Sequence, residues 1–272
     1  MNFRQRFLEV TRKKNSLLCV GLDPVWKRMP QAVKSRPEPF FDFCVAIINS
    51  TQQMASAFKL NLAFFEAEGS RGWRVLEKLM DVFPPDILRI ADAKRADIGT
   101  SSEMYAKAIL ECLDFDAVTV NPYLGQDAVE PFLNWSEKGA IILCLTSNPG
   151  AQDFQYFSDG RQPLYMEVLN KVKSWNTRQN CAIVAGATHV AELSAIRKAA
   201  PDLPLLVPGL GAQGGDLEAA VLGGTDSAGE MAIFNFSRSI IYCSSGDDFA
   251  EAAAREAEYI KETINKVRKT KR

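Results

Sequence analysis

Short apolar runs alternate with longer amphipathic stretches along almost the whole chain. A run of about four to eight apolar residues bounded by turn residues reads as a buried strand, and apolar positions recurring every three to four residues read as one face of a helix. On that reading strands fall at 17–22, 56–60, 87–92, 116–120, 140–145, 181–185, 204–208 and 231–236. Helical stretches lie at 36–55, 66–82, 101–113, 126–135, 162–175, 189–200 and 215–222, with an amphipathic helix at 2–13 before the first strand and a charged one at 247–268 after the last. Eight β-then-α units over about 250 residues predict an α/β fold, a (β/α)8 TIM barrel with an N-terminal helix in one domain spanning 1–272. No Pro/Gly/Ser-rich linker, internal repeat or low-complexity segment argues for a second domain.

A barrel of this kind gathers functional side chains at the C-terminal ends of its strands, and polar residues do cluster there. Strand 1 runs into Gly21-Leu22-Asp23-Pro24, strand 2 into Lys59-Leu60-Asn61, strand 4 into Asn121-Pro122, strand 5 into Thr146-Ser147-Asn148-Pro149-Gly150 and strand 8 into Ser237-Arg238-Ser239. Strand 3 ends in the most charged of these segments, Asp92-Ala93-Lys94-Arg95-Ala96-Asp97-Ile98-Gly99. Side chains alternate along a strand, so Asp92 and Lys94 leave one face about 6 to 7 Å apart and can touch. Asp97 falls beyond the strand, before Thr100-Ser101-Ser102-Glu103, whose Ser/Thr-to-Glu spacing predicts a capping box and a helix start. Charges at the end of a buried strand are costly unless paired. Spacing alone leaves open an ion-pair cluster or a ligand site; polar strand ends converging on one mouth favour the ligand site.

The glycines of Gly209-Leu210-Gly211-Ala212-Gln213-Gly214-Gly215 match a dinucleotide fingerprint. That fingerprint belongs in the first βα turn of a doubly wound sheet, whereas this one follows six earlier strands. The phosphate site of a barrel, built after strands 7 and 8 from backbone N–H groups, a helix N-terminus and the Arg238 guanidinium, fits better.

Composition narrows the chemistry. A net charge of -1 and a pI near 6.0 give no general attraction to nucleic acid or to anionic membranes, and the basic cluster Lys266 to Arg272 reads as a solvated helix end. No apolar segment reaches the roughly 18 residues of a spanning helix and no signal sequence opens the chain, so a soluble, cytoplasmic protein is expected. The six cysteines form no C-x-x-C pair and are expected to be buried free thiols. His189 is the only histidine. Histidine metal sites and Ser-His triads are thereby set aside, His189 is expected to be structural, and catalysis is expected to need no metal or organic cofactor.

Taken together, the D-x-K-x-x-D motif Asp92/Lys94/Asp97, Thr146-Ser147-Asn148-Pro149 and Gly211-Ala212-Gln213-Gly214-Gly215-Asp216 resemble the orotidine 5'-phosphate decarboxylase family, in its longer bacterial-type branch, from about Leu17 to Tyr242. The resemblance implies decarboxylation of orotidine 5'-phosphate to uridine 5'-phosphate and CO2, the last step of de novo pyrimidine biosynthesis, without a cofactor. It implies that Lys94 is the general acid at C6 of the pyrimidine, flanked by Asp92 and Lys59. Asp97 would be lent across a homodimer interface to the neighbouring site, with Ile98 and Ser101 beside it. Asp23 and Lys59 would meet the ribose hydroxyls, Ser147 the pyrimidine, and Gln213 with Arg238 the phosphate. Two positions depart from the pattern of relatives: Ser237 stands where shorter ones often have glycine, and Ser101 where several have threonine. A rival branch of the superfamily, the magnesium-dependent sugar-phosphate decarboxylases and aldolases, calls for a Glu close after Lys59; here Leu62 to Phe65 intervene before Glu66. A catalytically silent nucleotide-binding barrel would be marked by loss of Lys94 or either carboxylate, and all three are present.

Overall fold

Every predicted apolar run becomes a strand of a parallel barrel. In the computed structural model, which describes residues 1–211 and 214–271, the strands are β1 (Leu18–Leu22), β2 (Ala57–Asn61), β3 (Leu88–Arg95), β4 (Ala117–Val120), β5 (Gly139–Leu145), β6 (Cys181–Ala185), β7 (Leu205–Val207) and β8 (Ala232–Phe236). They pair in chain order, and β8 closes on β1 through Leu18 opposite Phe234 and Val20 opposite Phe236.

The period-2 alternation of these strands sorts the core into two layers. Leu18, Val20, Leu22, Phe58 and Leu60 face outward and pack under the helices. Cys19, Ala57, Leu88, Ile90 and Ala117 face inward and fill the barrel. Continuing each inward row by two residues leads from Ala57 to Lys59, from Ile90 to Asp92 and from Ala117 to Thr119. The same alternation that fills the core therefore delivers polar groups to its upper rim.

The lower end of the barrel is sealed by the N-terminal helix, Phe3–Lys14. Asn2 and Gln5 form a reciprocal capping box at its start. Its buried residues Phe3, Phe7 and Val10 join the interior layer. The ring of Phe3 lies so close to β5 that a Cβ on Gly139 would come within 2.6 Å of it. Arg12 grips Glu230 through Nη2 at 2.7 Å and Nε at 3.0 Å. This pair ties the helix to the turn before β8, where the Asp226 carboxylate accepts the N–H groups of Ala228 and Glu230.

Several boundaries differ from expectation. The 36–55 stretch is a helix only over Pro39–Thr51, preceded by the short helix Gln31–Lys34, and the 66–82 stretch is a helix only over Ser70–Met80, separated by Gly69 at φ 60° from the short helix Leu62–Glu66 that directly follows β2. The 101–113 helix starts at Gly99, with Ile98 as its cap, and widens to a π-helical segment at Lys107–Cys112. No side chain caps it, so the expected capping box at Thr100 and Glu103 does not form; Asp97 instead accepts the N–H of Ile98 at 2.8 Å. All six cysteines are free, but only Cys19, Cys44, Cys144 and Cys181 are buried, because Cys112 is on an exposed position at the end of the π-helical segment and Cys243 on one just after the helix Arg238–Ile241. No helix among the described residues is long and apolar enough to cross a membrane.

Candidate active site

The inward rows open at the C-terminal mouth into a cavity of about 390 Å³ lined by Asp23, Lys59, Asp92, Lys94, Thr119, Ser147 and Arg238, among others, over a floor of Leu143, Val184 and Leu206. Its centre is a charged relay. Lys59 Nζ lies 2.8 Å from Asp92 Oδ2, and Lys94 Nζ lies 2.5 Å from Asp92 Oδ1. Thr119 donates its hydroxyl to Asp92 Oδ1 at 3.1 Å and accepts the N–H of Lys94 at 2.9 Å, so it holds both members of the pair. Thr119 belongs to no motif in the sequence; its signal there is that it is a polar residue on the inward row of an otherwise apolar strand.

Asp92 and Lys94 do touch, but not because β3 is regular there. The β3–β4 register shifts between Ala91 and Arg95, and Lys94 has a φ of 47°. A left-handed backbone costs a non-glycine residue about 1 to 3 kcal/mol and persists where surrounding contacts enforce it. Here the Thr119 hydrogen bond and the Asp92 ion pair supply that enforcement.

Burial and charge set the protonation of the relay. Burial works against the Lys59 ammonium, but the carboxylates of Asp92 and Asp23 outweigh it and hold the group up at about 12. Burial likewise pushes the Asp92 carboxyl up, and Lys59 and Lys94 together outweigh that, holding it well below the usual carboxylate range. Asp92 is therefore an anion that only accepts. The Lys94 side chain is half exposed, 51%, so its ammonium is presented to whatever enters the cavity.

The rim is built by shorter-range contacts. The carboxamide of Gln155 accepts Thr146 N–H at 2.8 Å and donates to Thr146 Oγ1 at 2.8 Å, fixing the segment that carries Ser147. Ser237 reaches the cavity because β1 carries glycine opposite it: a Cβ on Gly21 would lie 1.8 Å from Ser237 Oγ. Asp23 Oδ1 is buried without a hydrogen-bond partner. An orphaned acceptor of this kind costs about 1 to 3 kcal/mol until a donor arrives.

Among the glycines, Gly209, Gly211 and Gly214 all have positive φ, at 98°, 70° and 77°, and Gly214 N–H returns to the Gly211 carbonyl at 2.9 Å. The following helix, Leu217–Gly224, begins at this loop, and the carboxylate of Asp216 caps it through Ala219 N–H at 3.0 Å. Gln213, expected at the phosphate, lies outside the described residues. Arg95, inside the charged motif, turns away from the cavity to pair with Glu66, and its guanidinium sits 5.1 Å from the Tyr105 ring centroid. Glu66 is thus engaged elsewhere, and no group of three or more His, Cys, Asp or Glu side chains among the described residues is arranged to hold a metal ion. His189 sits at the start of the helix Val190–Ala199 with Nδ1 3.1 Å from the Tyr156 hydroxyl, which donates to Glu192 at 3.0 Å. Asp97, Ile98 and Ser101 are not among the lining residues of their own cavity.

Comparison with known proteins converges on one family. Residues 16–255 match the model of the orotidine 5'-phosphate decarboxylase / HUMPS family. The chain is 45% identical to an orotidine 5'-phosphate decarboxylase of Dehalococcoides mccartyi (strain CBDB1), over 99% of both sequences. It is 46% identical to one of Roseiflexus sp. (strain RS-1), over 97% of this chain and 98% of the relative. Its fold superposes on the structure of Leishmania donovani OMP decarboxylase with a TM-score of 0.85 at 33% identity, covering 98% and 99% of the two chains. With the match running through every strand of the barrel and the full length of its relatives, the chain belongs to the orotidine 5'-phosphate decarboxylase family.

Proposed function

We propose that this chain removes CO2 from orotidine 5'-phosphate to give uridine 5'-phosphate, with Lys94 as the proton donor. The observation that carries the assignment of roles is the Lys59–Asp92–Lys94 relay at the centre of the cavity. When the bond between C6 and its carboxylate breaks, the electron pair stays on C6 in an orbital that cannot delocalise into the ring. An ammonium held beside that carbon by a permanently ionised carboxylate stabilises the developing negative charge and then transfers its proton to C6. The products are neutral C6–H, free CO2 and a neutral Lys94 amine that regains its proton from solvent. No electron sink or redox partner enters this balance.

Arg238 at the rim suits the phosphate, Ser147 the pyrimidine, and Asp23 with Lys59 the ribose hydroxyls; the orphaned Asp23 acceptor supports the last of these. The chain works as a homodimer in which Asp97, flanked by Ile98 and Ser101, completes the neighbour's site. Its absence from its own cavity supports this, as do the large apolar side chains left exposed after β3, β4 and β5: Ile98, Met104, Tyr123, Phe154 and Phe157, at 54 to 80%.

Adding orotidine 5'-phosphate to the purified chain should lower absorbance in the orotate band, equally with and without EDTA. Lys94→Ala should abolish that fall while uridine 5'-phosphate still binds measurably by calorimetry, whereas Arg238→Ala should mainly weaken binding. Activity lost in EDTA and restored by Mg2+ would assign the chain to the sugar-phosphate branch, and equal loss of product binding in the two variants would refute the division of roles.

A further inference from the structure

Asp23 and Arg238 reach the cavity from opposite ends of the chain, and one phenol ties their segments together. Tyr242 ends the single-turn helix Arg238–Ile241. Its hydroxyl accepts the N–H of Val25 at 2.6 Å and donates to the carbonyl of Asp23 at 3.1 Å. It thus clamps the backbone on both sides of Pro24, a residue with no N–H of its own. The ring is wedged against Phe43, with centroids 5.5 Å apart and planes at 16°, and Arg28 covers it at 4.3 Å. Burial pushes the phenol up to about 12, which keeps the hydroxyl a donor at neutral pH. The residue so clamped is the one whose carboxylate oxygen is buried without a partner.

We propose that Tyr242 is a positioning residue, which aims the Asp23 carboxylate at the ribose hydroxyls and sets its distance from the phosphate-side Arg238. This rests on the reading of Asp23 given above. A contact made equally in the ground and transition states appears in KM rather than in kcat. Tyr242→Phe keeps the wedged ring and removes only the clamp. It removes both hydrogen bonds of the clamp, and it should raise KM for orotidine 5'-phosphate about tenfold, the effect of one lost hydrogen bond between the misaimed Asp23 carboxylate and the ribose, and leave kcat within about twofold. In the Asp23→Ala background the same change should raise KM by less than about threefold, because there is no longer a carboxylate to aim.

A wild-type KM in Tyr242→Phe, or the full tenfold factor persisting without the Asp23 carboxylate, would overturn the proposal. So would a fall in kcat at unchanged KM, the mark of a variant that merely folds poorly, since KM does not depend on the folded fraction. A wild-type KM in Asp23→Ala alone would instead remove the ribose reading of Asp23 and the proposal with it, an outcome distinct from the additive one.

Discussion

At the level of single residues, the relay shows why a buried charge cluster can be both costly and useful. Asp92 was legible because inward positions of a strand recur every second residue, and Lys59 because it ends such a row. The Asp92–Lys94 contact was legible for an incomplete reason: alternation placed both on one face, whereas the observed geometry needs a register shift and a left-handed Lys94 that spacing does not reveal. Thr119 and Tyr242 escaped the sequence because each matters only through a partner far along the chain. The relay also makes stability depend on pH with a definite sign. Asp92 titrates in the folded chain below its ordinary value of 3.8, so the unfolded chain takes up the proton first as pH falls. Its contribution is complete above the ordinary carboxylate range, begins to be lost as pH falls to about 3.8 and goes on being lost down through the lower value of the folded chain. Lys59, held up from 10.5 to about 12, contributes fully below 10.5 and loses that contribution as pH rises through about 12. The urea midpoint should therefore drop between about pH 6 and about pH 3, and drop less in Asp92→Asn. An equal drop in the two proteins would place the acid sensitivity in other carboxylates.

Among the elements, the N-terminal helix separates what periodicity can and cannot say. Its amphipathic pattern announced a helix, but its seat under the barrel depends on β5 carrying glycine at 139, a fact visible only once Phe3 is seen against it. The strands are legible to within a few residues because each is a short, mostly apolar run, and polar positions such as Lys59, Asp92 and Thr119 fall towards its C-terminal end. Helix boundaries were less legible where a local conformation, such as Gly69 at φ 60°, overrides the amphipathic pattern. The close fit makes a thermodynamic cycle informative. Gly139→Ala pushes a methyl into the Phe3 ring and should cost about 1 to 3 kcal/mol. Phe3→Ala empties a buried site and should cost about 3 to 5 kcal/mol. The double variant should cost clearly less than the sum, since the methyl then occupies space the ring has left. Additive losses in urea denaturation would mean that the two positions do not share a contact.

For the whole molecule, Asp97 does not line its own cavity, and the proposed homodimer would give it a role in the neighbour's. Mixing Lys94→Ala with Asp97→Ala subunits, each inactive alone, should restore activity: in a hybrid the Asp97→Ala subunit keeps its own Lys94 and receives Asp97 from its partner. Random exchange of equal amounts makes about half the dimers hybrids with one intact site of two, so activity should approach about one quarter of wild type. Background activity after demonstrated exchange would confine Asp97 to its own chain. The helix that seals the barrel also imposes an order in time. Phe3–Lys14 leaves the ribosome before any strand, yet its anchors, Gly139, Gln179 and Glu230, come from the middle and end of the chain. At about 5 to 20 residues per second, Phe3 and Phe7 wait on the order of ten seconds or more for the last of these anchors to be made. A segment synthesised ahead of every strand is thus among the last to find its place, and during that interval its aromatic face is free for a chaperone to hold.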